Sequence, residues 1–201
     1  ISKVREEGYQ LENLKDQWKS DKEVVLAAVK RSAEALQYAD TELRNDKEVV
    51  LEAVESSGYA LEYASDELKK DKEVVLAAVK SSADALQYAD AKLKKDKQFI
   101  LAAVQKDEFG SHVLEHADAK LKNDKEIVLA AVQKGYGSAL EHASAELKKD
   151  KEVVLVAVKS SGDALEYADK TLKADREFLL EAVKIDYSLL SINWVLAIVS
   201  R

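Results

Sequence analysis

Apolar and polar positions along this chain follow one pattern, written out repeatedly. Asp71-Lys-Glu-Val-Val-Leu-Ala-Ala-Val-Lys80 is followed by Ser-Ser-Ala-Asp-Ala-Leu-Gln-Tyr-Ala89, and near-copies begin at Asp21, Asp46, Asp96, Asp124, Asp150 and Asp175. The repeating unit is about 25 residues. Its opening aspartate suits a helix N-cap, because a short carboxylate accepts hydrogen bonds from the free amides of the first turn. Glu23 and its equivalents add negative charge at the positive end of the helix dipole. On a helical wheel, Val24, Val25, Leu26, Ala28 and Val29 cover an arc of about 200°, where a surface helix needs little over 100°. The spacing therefore predicts a helix enclosed by its own partner helix and by both neighbouring units.

That helix is expected to stop at Ser56-Ser-Gly58, Ser81-Ser-Ala83 and Ser160-Ser-Gly162, where glycine suits a left-handed C-terminal cap. A second, shorter helix follows, as in Ala60-Leu-Glu-Tyr-Ala64, with Ala60, Leu61 and Ala64 inward and Glu62 outward. Asp or Ser then recurs at positions 40, 65, 90, 118, 144 and 169, each three residues before a leucine. The pattern fits either a separate capped turn or one bent helix. Two alanine sets mark close helix approach: Ala28, Ala53, Ala78, Ala103, Ala131, Ala157 and Ala182, then Ala39, Ala64, Ala89, Ala117, Ala143 and Ala168. Leucine would bury more area at these positions, so recurrent alanine implies a neighbouring backbone too close for it, and Ala89→Leu is expected to overpack.

The first stretch, Val4 to Trp18, lines up with Val54 to Leu68. Residues 1–20 thus read as a partial repeat or N-terminal cap, 21–174 as six tandem repeats, and 175–201 as a divergent C-terminal capping repeat. The predicted fold class is all-α: a solenoid of short two-helix repeats forming a single elongated superhelical domain.

Composition narrows the function classes more than it names one. The net charge of −7 is spread over every unit with no basic stripe, which argues against nucleic acid or an anionic membrane as partner. No apolar run reaches the roughly 18 residues of a spanning helix, so a soluble chain is expected. Zero cysteines exclude disulfides and thiolate metal sites. The chain opens on Ile1 and contains no methionine, which predicts a fragment or a processed protein.

The pattern Asn/Lys-Asp-Lys-Glu-Val-Val-Leu-Ala-Ala-Val-Lys, then Gly/Ala-x-Ala-Leu-x-Tyr-Ala-Ser/Asp-x-x-Leu-Lys, resembles the tandem family called domain of unknown function 4116, over residues 21–183. The resemblance implies an array within a longer protein, as occurs in intracellular bacteria, protists and large viruses. It carries no activity and no catalytic residues.

Candidate chemistry lies where copies depart from the pattern. His112 and His116 are four residues apart on one helix face, and His142 takes the slot of His116 in the next unit, so the three are weak candidates for a metal. His116 and His142 otherwise simply replace the tyrosines at 38, 63, 88 and 167. That column reads either as rings packed across unit boundaries or as an aromatic strip for an extended peptide. Extra residues around Lys106-Asp-Glu-Phe-Gly-Ser111 and Lys134-Gly-Tyr-Gly-Ser138 place Phe109 and Tyr136 on irregular loops, where repeat proteins often bind. The candidate partner-binding residues are Phe109, His112, Tyr136, Tyr63 and Tyr88. The apolar segment 187–199 either closes the core or forms a homodimer contact. The expected function is a non-enzymatic scaffold for another protein or peptide, with no catalytic residue and no cofactor. The alternative is a structural spacer in a larger, effector-like protein whose activity lies elsewhere.

Overall fold

The computed structural model describes residues 8–107, 111–135 and 137–200. Among these residues all regular structure is helical and no strand occurs. The all-α repeat architecture expected from the periodicity is the one observed.

Seven copies of the opening helix recur: α1 (Lys22–Val29), α2 (Lys47–Ser56), α3 (Lys72–Ser81), α4 (Lys97–Lys106), α5 (Lys125–Lys134), α6 (Lys151–Ser160) and α7 (Arg176–Ile185). Each starts where its aspartate satisfies the first-turn amides. Glu73 N and Val74 N donate to Asp71 Oδ1 at 2.9 and 3.2 Å, and the same geometry recurs at Asp21, Asp46, Asp124 and Asp175. Val24, Val25, Ala28 and Val29 are buried on α1, an arc of about 140°. Leu26, at the edge of the wider arc expected from the sequence, is only half-buried. The wheel overstates enclosure because the helix meets neighbours on the Val24–Val29 side and leaves Leu26 at the rim.

In most repeats the second helix is a 3₁₀ segment, Ala33–Tyr38, Gly58–Tyr63 and Ala83–Tyr88, with Ser138–His142 and Gly162–Tyr167 later in the chain, whereas Ser111–His116 is α-helical. Three residues per turn bring Gly58, Leu61 and Ala64 into one row, and all three are buried. An extended residue flanks each side, Ser57 before and Ala64 after, leaving room for i→i+3 bonds such as Ala60 N to Ser57 O at 2.9 Å. The second alanine set therefore sits in extended linkers rather than at helix crossings, still buried, with Ala89 6% exposed. The first set lies on the helices and is fully buried.

The choice between a bent helix and a separate turn resolves to the turn. Asp40 caps Thr41–Arg44, Asp90 caps Ala91–Lys95 and Asp169 caps Lys170–Ala174, each a single α-turn leading to the next aspartate; at Leu68–Lys70, Leu121–Asn123 and Leu147–Lys149 the turn is 3₁₀. The glycines also differ from expectation. The residue ending α2 is Ser57 in extended conformation, and Gly58 has no positive φ. Gly58 is needed for space: a Cβ there would lie 2.3 Å from the Ala78 carbonyl oxygen. Gly137, at φ 79°, is the left-handed glycine among the described residues.

The chain divides into two compact units, residues 1–99 and 100–201. Within the first, α1 packs on α2 and α2 on α3, while the 3₁₀ segments of successive repeats pack on one another behind them. Within the second, α5, α6 and α7 pack in sequence, again with a layer of 3₁₀ segments. Leu36, Leu61, Leu86, Leu114, Leu140 and Leu165, one in each repeat but the last, are fully buried. Among the described residues no helix is long and apolar enough to cross a membrane.

Candidate interaction surfaces

The junction between repeats begins with the capping aspartate. Its Oδ1 takes the helix amides, and its Oδ2 takes the lysine that opens the previous repeat's helix. Lys22 Nζ donates to Asp46 Oδ2 at 2.7 Å, Lys47 to Asp71 at 2.8 Å and Lys72 to Asp96 at 2.6 Å in the first unit. Lys125 to Asp150 and Lys151 to Asp175, both at 2.7 Å, repeat the link in the second. Hydrogen bonds to Lys72 and Lys151 hold Asp96 and Asp175 below the usual carboxylate range. Burial alone would push Asp46, Asp71 and Asp150 up, but their lysines and the helix amides together bring each net downward. Backbone bonds add a second line to the junction: Asp40 N to Lys19 O, Ser65 N to Arg44 O, and Ser144 N to Lys122 O, at 3.0, 2.9 and 2.9 Å.

The tyrosine column occupies the 3₁₀ layer, half-buried, and reaches back one repeat. Loss of water, then the Glu12 carboxylate that its hydroxyl meets, raises Tyr38; Tyr88 is raised in the same way by burial and Glu62. Tyr167 is raised by Glu141 first and burial second. Tyr63 is half-buried, and the residue that matches Glu62 one repeat earlier is the neutral Gln37. Tyr88 also lines a polar depression of about 480 Å³ with Asp66, Lys69, Lys70 and Asp90. Tyr59 is 45% exposed, and its hydroxyl donates to Asp84 Oδ2 at 2.9 Å across the repeat boundary.

His142 continues the column, with Nε2 4.0 Å from Glu115 Oε2. Burial lowers its pKa, partly offset by Glu115 and Glu141 and reinforced by Lys122 and His112. His112 is exposed and His116 half-buried. Among the described residues these three imidazoles do not gather as a three-ligand cluster. Phe109 and Tyr136 lie outside the described residues.

Sequence reasoning missed the open side of the opening helices. Leu26, Leu51 and Leu76 in the first unit, and Leu129, Leu155 and Leu180 in the second, are half-exposed on the face turned away from the core. Shallow depressions lie on this face. One of about 530 Å³ is lined by Glu23, Leu26, Ala27, Lys30 and Arg31, and another of about 350 Å³ by Glu55, Ala77, Lys80 and Ser81. Lys30 and Glu52 approach to 3.7 Å beside the leucine row. The signal in the sequence was the recurrence of leucine at the edge of the apolar arc.

With the repeat geometry in place, comparison with known proteins identifies the class and then the family. The class is a tandem helical repeat. The model of the family described as domain of unknown function (DUF4116) matches seven overlapping segments, residues 3–44, 21–69, 46–94, 71–110, 96–148, 134–173 and 150–192. The chain belongs to this family. No curated protein and no solved structure matches it.

Proposed function

We propose that this chain is a non-enzymatic scaffold that binds another protein or peptide. The observation carrying the reading is the half-open leucine row on the opening helices. Stacking uses the Val24, Val25, Ala28 and Val29 positions, yet each repeat also keeps an apolar Leu at the rim, beside charged residues such as Lys30, Glu52, Glu55 and Lys80 in the first unit. An apolar centre with a charged border is the composition of a protein-binding face. The loop aromatics Phe109 and Tyr136 extend the partner contact on sequence grounds.

The reading is tested by selecting peptides from a displayed random library on the immobilised chain. Selected peptides are expected to bind about tenfold more weakly to Leu51→Gln plus Leu76→Gln, as loss of central apolar contacts commonly costs. Helical circular dichroism controls for folding. Equal affinity for the variant removes the leucine row from the reading. Failure to enrich any peptide favours the spacer, which the even recurrence of the Lys–Asp link in both units also fits.

A further inference from the structure

We propose that the open face of α5, α6 and α7 takes an amphipathic α-helix of another protein, laid across the three, with basic residues along one flank of its apolar stripe and acidic residues along the other. The proposal rests on the reading of the leucine row as a binding face and adds the chemistry of the partner. The opening helices run parallel, as both ends show. At the start, Lys125 of α5 reaches Asp150 before α6, and Lys151 of α6 reaches Asp175 before α7, both at 2.7 Å. At the end, Lys134 Nζ of α5 donates to the Gln105 carbonyl near the end of α4. Each of α5, α6 and α7 also buries the same four positions, such as Ile127, Val128, Ala131 and Val132 on α5. Equal positions therefore lie side by side. Leu129, Leu155 and Leu180 make one half-buried row, widened by Ala130 and Val156 and ended by Glu181 beside Leu180.

Parallel stacking turns the preferences of the helix dipole into two charged edges. A helix favours acid in its first turn and base in its last. Glu126, Glu152 and Glu177 occupy the first turns, and Lys134, Lys159 and Lys184 the last. The acidic edge keeps its sign despite its own ion pairs, because each junction lysine faces two carboxylates. Lys125 Nζ meets Asp150 Oδ2 at 2.7 Å and Glu152 Oε2 at 2.8 Å, and Asp175 followed by Glu177 raises the pKa of Lys151. On the basic edge Lys159 and Lys184 are exposed. In the first unit Glu55 stands in the slot of Lys159, so the edge there is mixed.

The dimensions favour a helix as occupant. Seven or eight positions separate glutamate from lysine on each helix. At about 1.5 Å per residue the edges lie about 10–12 Å apart, the diameter of an α-helix with its side chains. Packed helices sit about 8–10 Å apart, so successive leucines match partner residues seven apart, about 10.5 Å at the same rise. An extended peptide draws its affinity from a sheet edge, and a polyproline segment docks an aromatic-lined groove. Among the described residues no strand occurs, and the row itself is aliphatic.

The test titrates the full chain into a fluorescein-labelled peptide of about three heptads with leucine at a and d, lysines along one flank and glutamates along the other. A control peptide of the same composition has its charges interleaved on both flanks. The first peptide is expected to bind about tenfold more tightly at low salt, a gap that narrows as salt is added. Binding is expected to be lost when the central residue is proline. The gap is expected to vanish in Lys159→Glu plus Lys184→Glu with unchanged circular dichroism. Equal affinity of the two peptides, undiminished binding of the proline peptide, or a gap that persists in that variant overturns the proposal. Binding by neither peptide overturns it as well, and the broader reading is then judged separately. Library-selected peptides weakened by Leu155→Gln plus Leu180→Gln keep the binding face and discard the helical partner, whereas selected peptides indifferent to the leucines remove the face itself.

Discussion

Lys47 Nζ lies 2.8 Å from Asp71 Oδ2, twenty-four residues downstream, while the other oxygen of that carboxylate accepts the amides of Glu73 and Val74. One side chain thus starts its own helix and fastens the preceding one. The same lysine also reaches Glu73 Oε2 at 2.8 Å, so each junction holds a small charged network rather than an isolated pair. Because the arrangement recurs, the junction is a property of the repeat and not of one site.

The two uses of Asp71 can be separated. Asp71→Ala removes the cap and the lysine's partner, and is expected to destabilise by about 1 kcal/mol through the cap alone. Asp71→Asn keeps a competent cap and loses only the charge, so its smaller cost should shrink as salt is added. Urea denaturation of both variants at low and high salt checks this; equal costs for the two would mean the cap contributes nothing.

The pH window follows from the direction of the shifts. Asp46, Asp71, Asp96, Asp150 and Asp175 are depressed, so their contribution is complete above the unfolded value of about 3.9 and is lost as pH falls through the lower folded values. Lys22, Lys47, Lys125 and Lys151 are raised by their carboxylate partners, so theirs is complete below about 10.4 and is lost as pH rises through the folded values. Taken by themselves, these Lys–Asp pairs predict thermal midpoints that stay level between about pH 4 and 10 in a scan from pH 2 to 11.

His142 adds a separate step. Burial depresses its pKa, so protonation favours the unfolded chain, and stability should decline as pH falls below about 6.5. His142→Tyr restores the residue that Tyr167 represents, with Glu115 in the place of Glu141. The variant is expected to be flat between pH 5 and 7 where the parent slopes, as seen in denaturation midpoints at each pH.

Tight approach ranks the small residues. Ala78→Leu, at a fully buried helix position, is expected to cost about 1–3 kcal/mol by overpacking, and Ala89→Leu less, since its linker slot retains 6% exposure. Gly137→Ala combines a left-handed φ, itself worth about 1–2 kcal/mol, with a Cβ 2.6 Å from that of Ala164. It should exceed Gly58→Ala, whose slot holds alanine at Ala33 and Ala83. Chemical denaturation of the four variants gives the order directly.

Local signals were legible in the chain. A carboxylate before Lys-Glu-Val-Val can cap only the helix beside it, and the alanines at 28, 53 and 78 can only mark proximity, so existence, period and start of the helices needed no coordinates. The i, i+3, i+6 row of Gly58, Leu61 and Ala64 is also present in the sequence, but both helix types bury every third or fourth residue, so the row alone does not separate 3₁₀ from α. Phe109 and Tyr136 stand out in the sequence by insertion alone.

The sequence by itself determined an all-α tandem repeat of family type, with each helix begun by an aspartate, because capping and periodicity act within a few residues. Tertiary structure decided that the second segment of most repeats is 3₁₀, that Gly58 serves space rather than handedness, that Asp71 also receives Lys47, and that Leu26 is left half-open while Leu36 is sealed. Those outcomes depend on which neighbouring repeat occupies the adjoining volume, and a residue's own sequence neighbours carry no information about that.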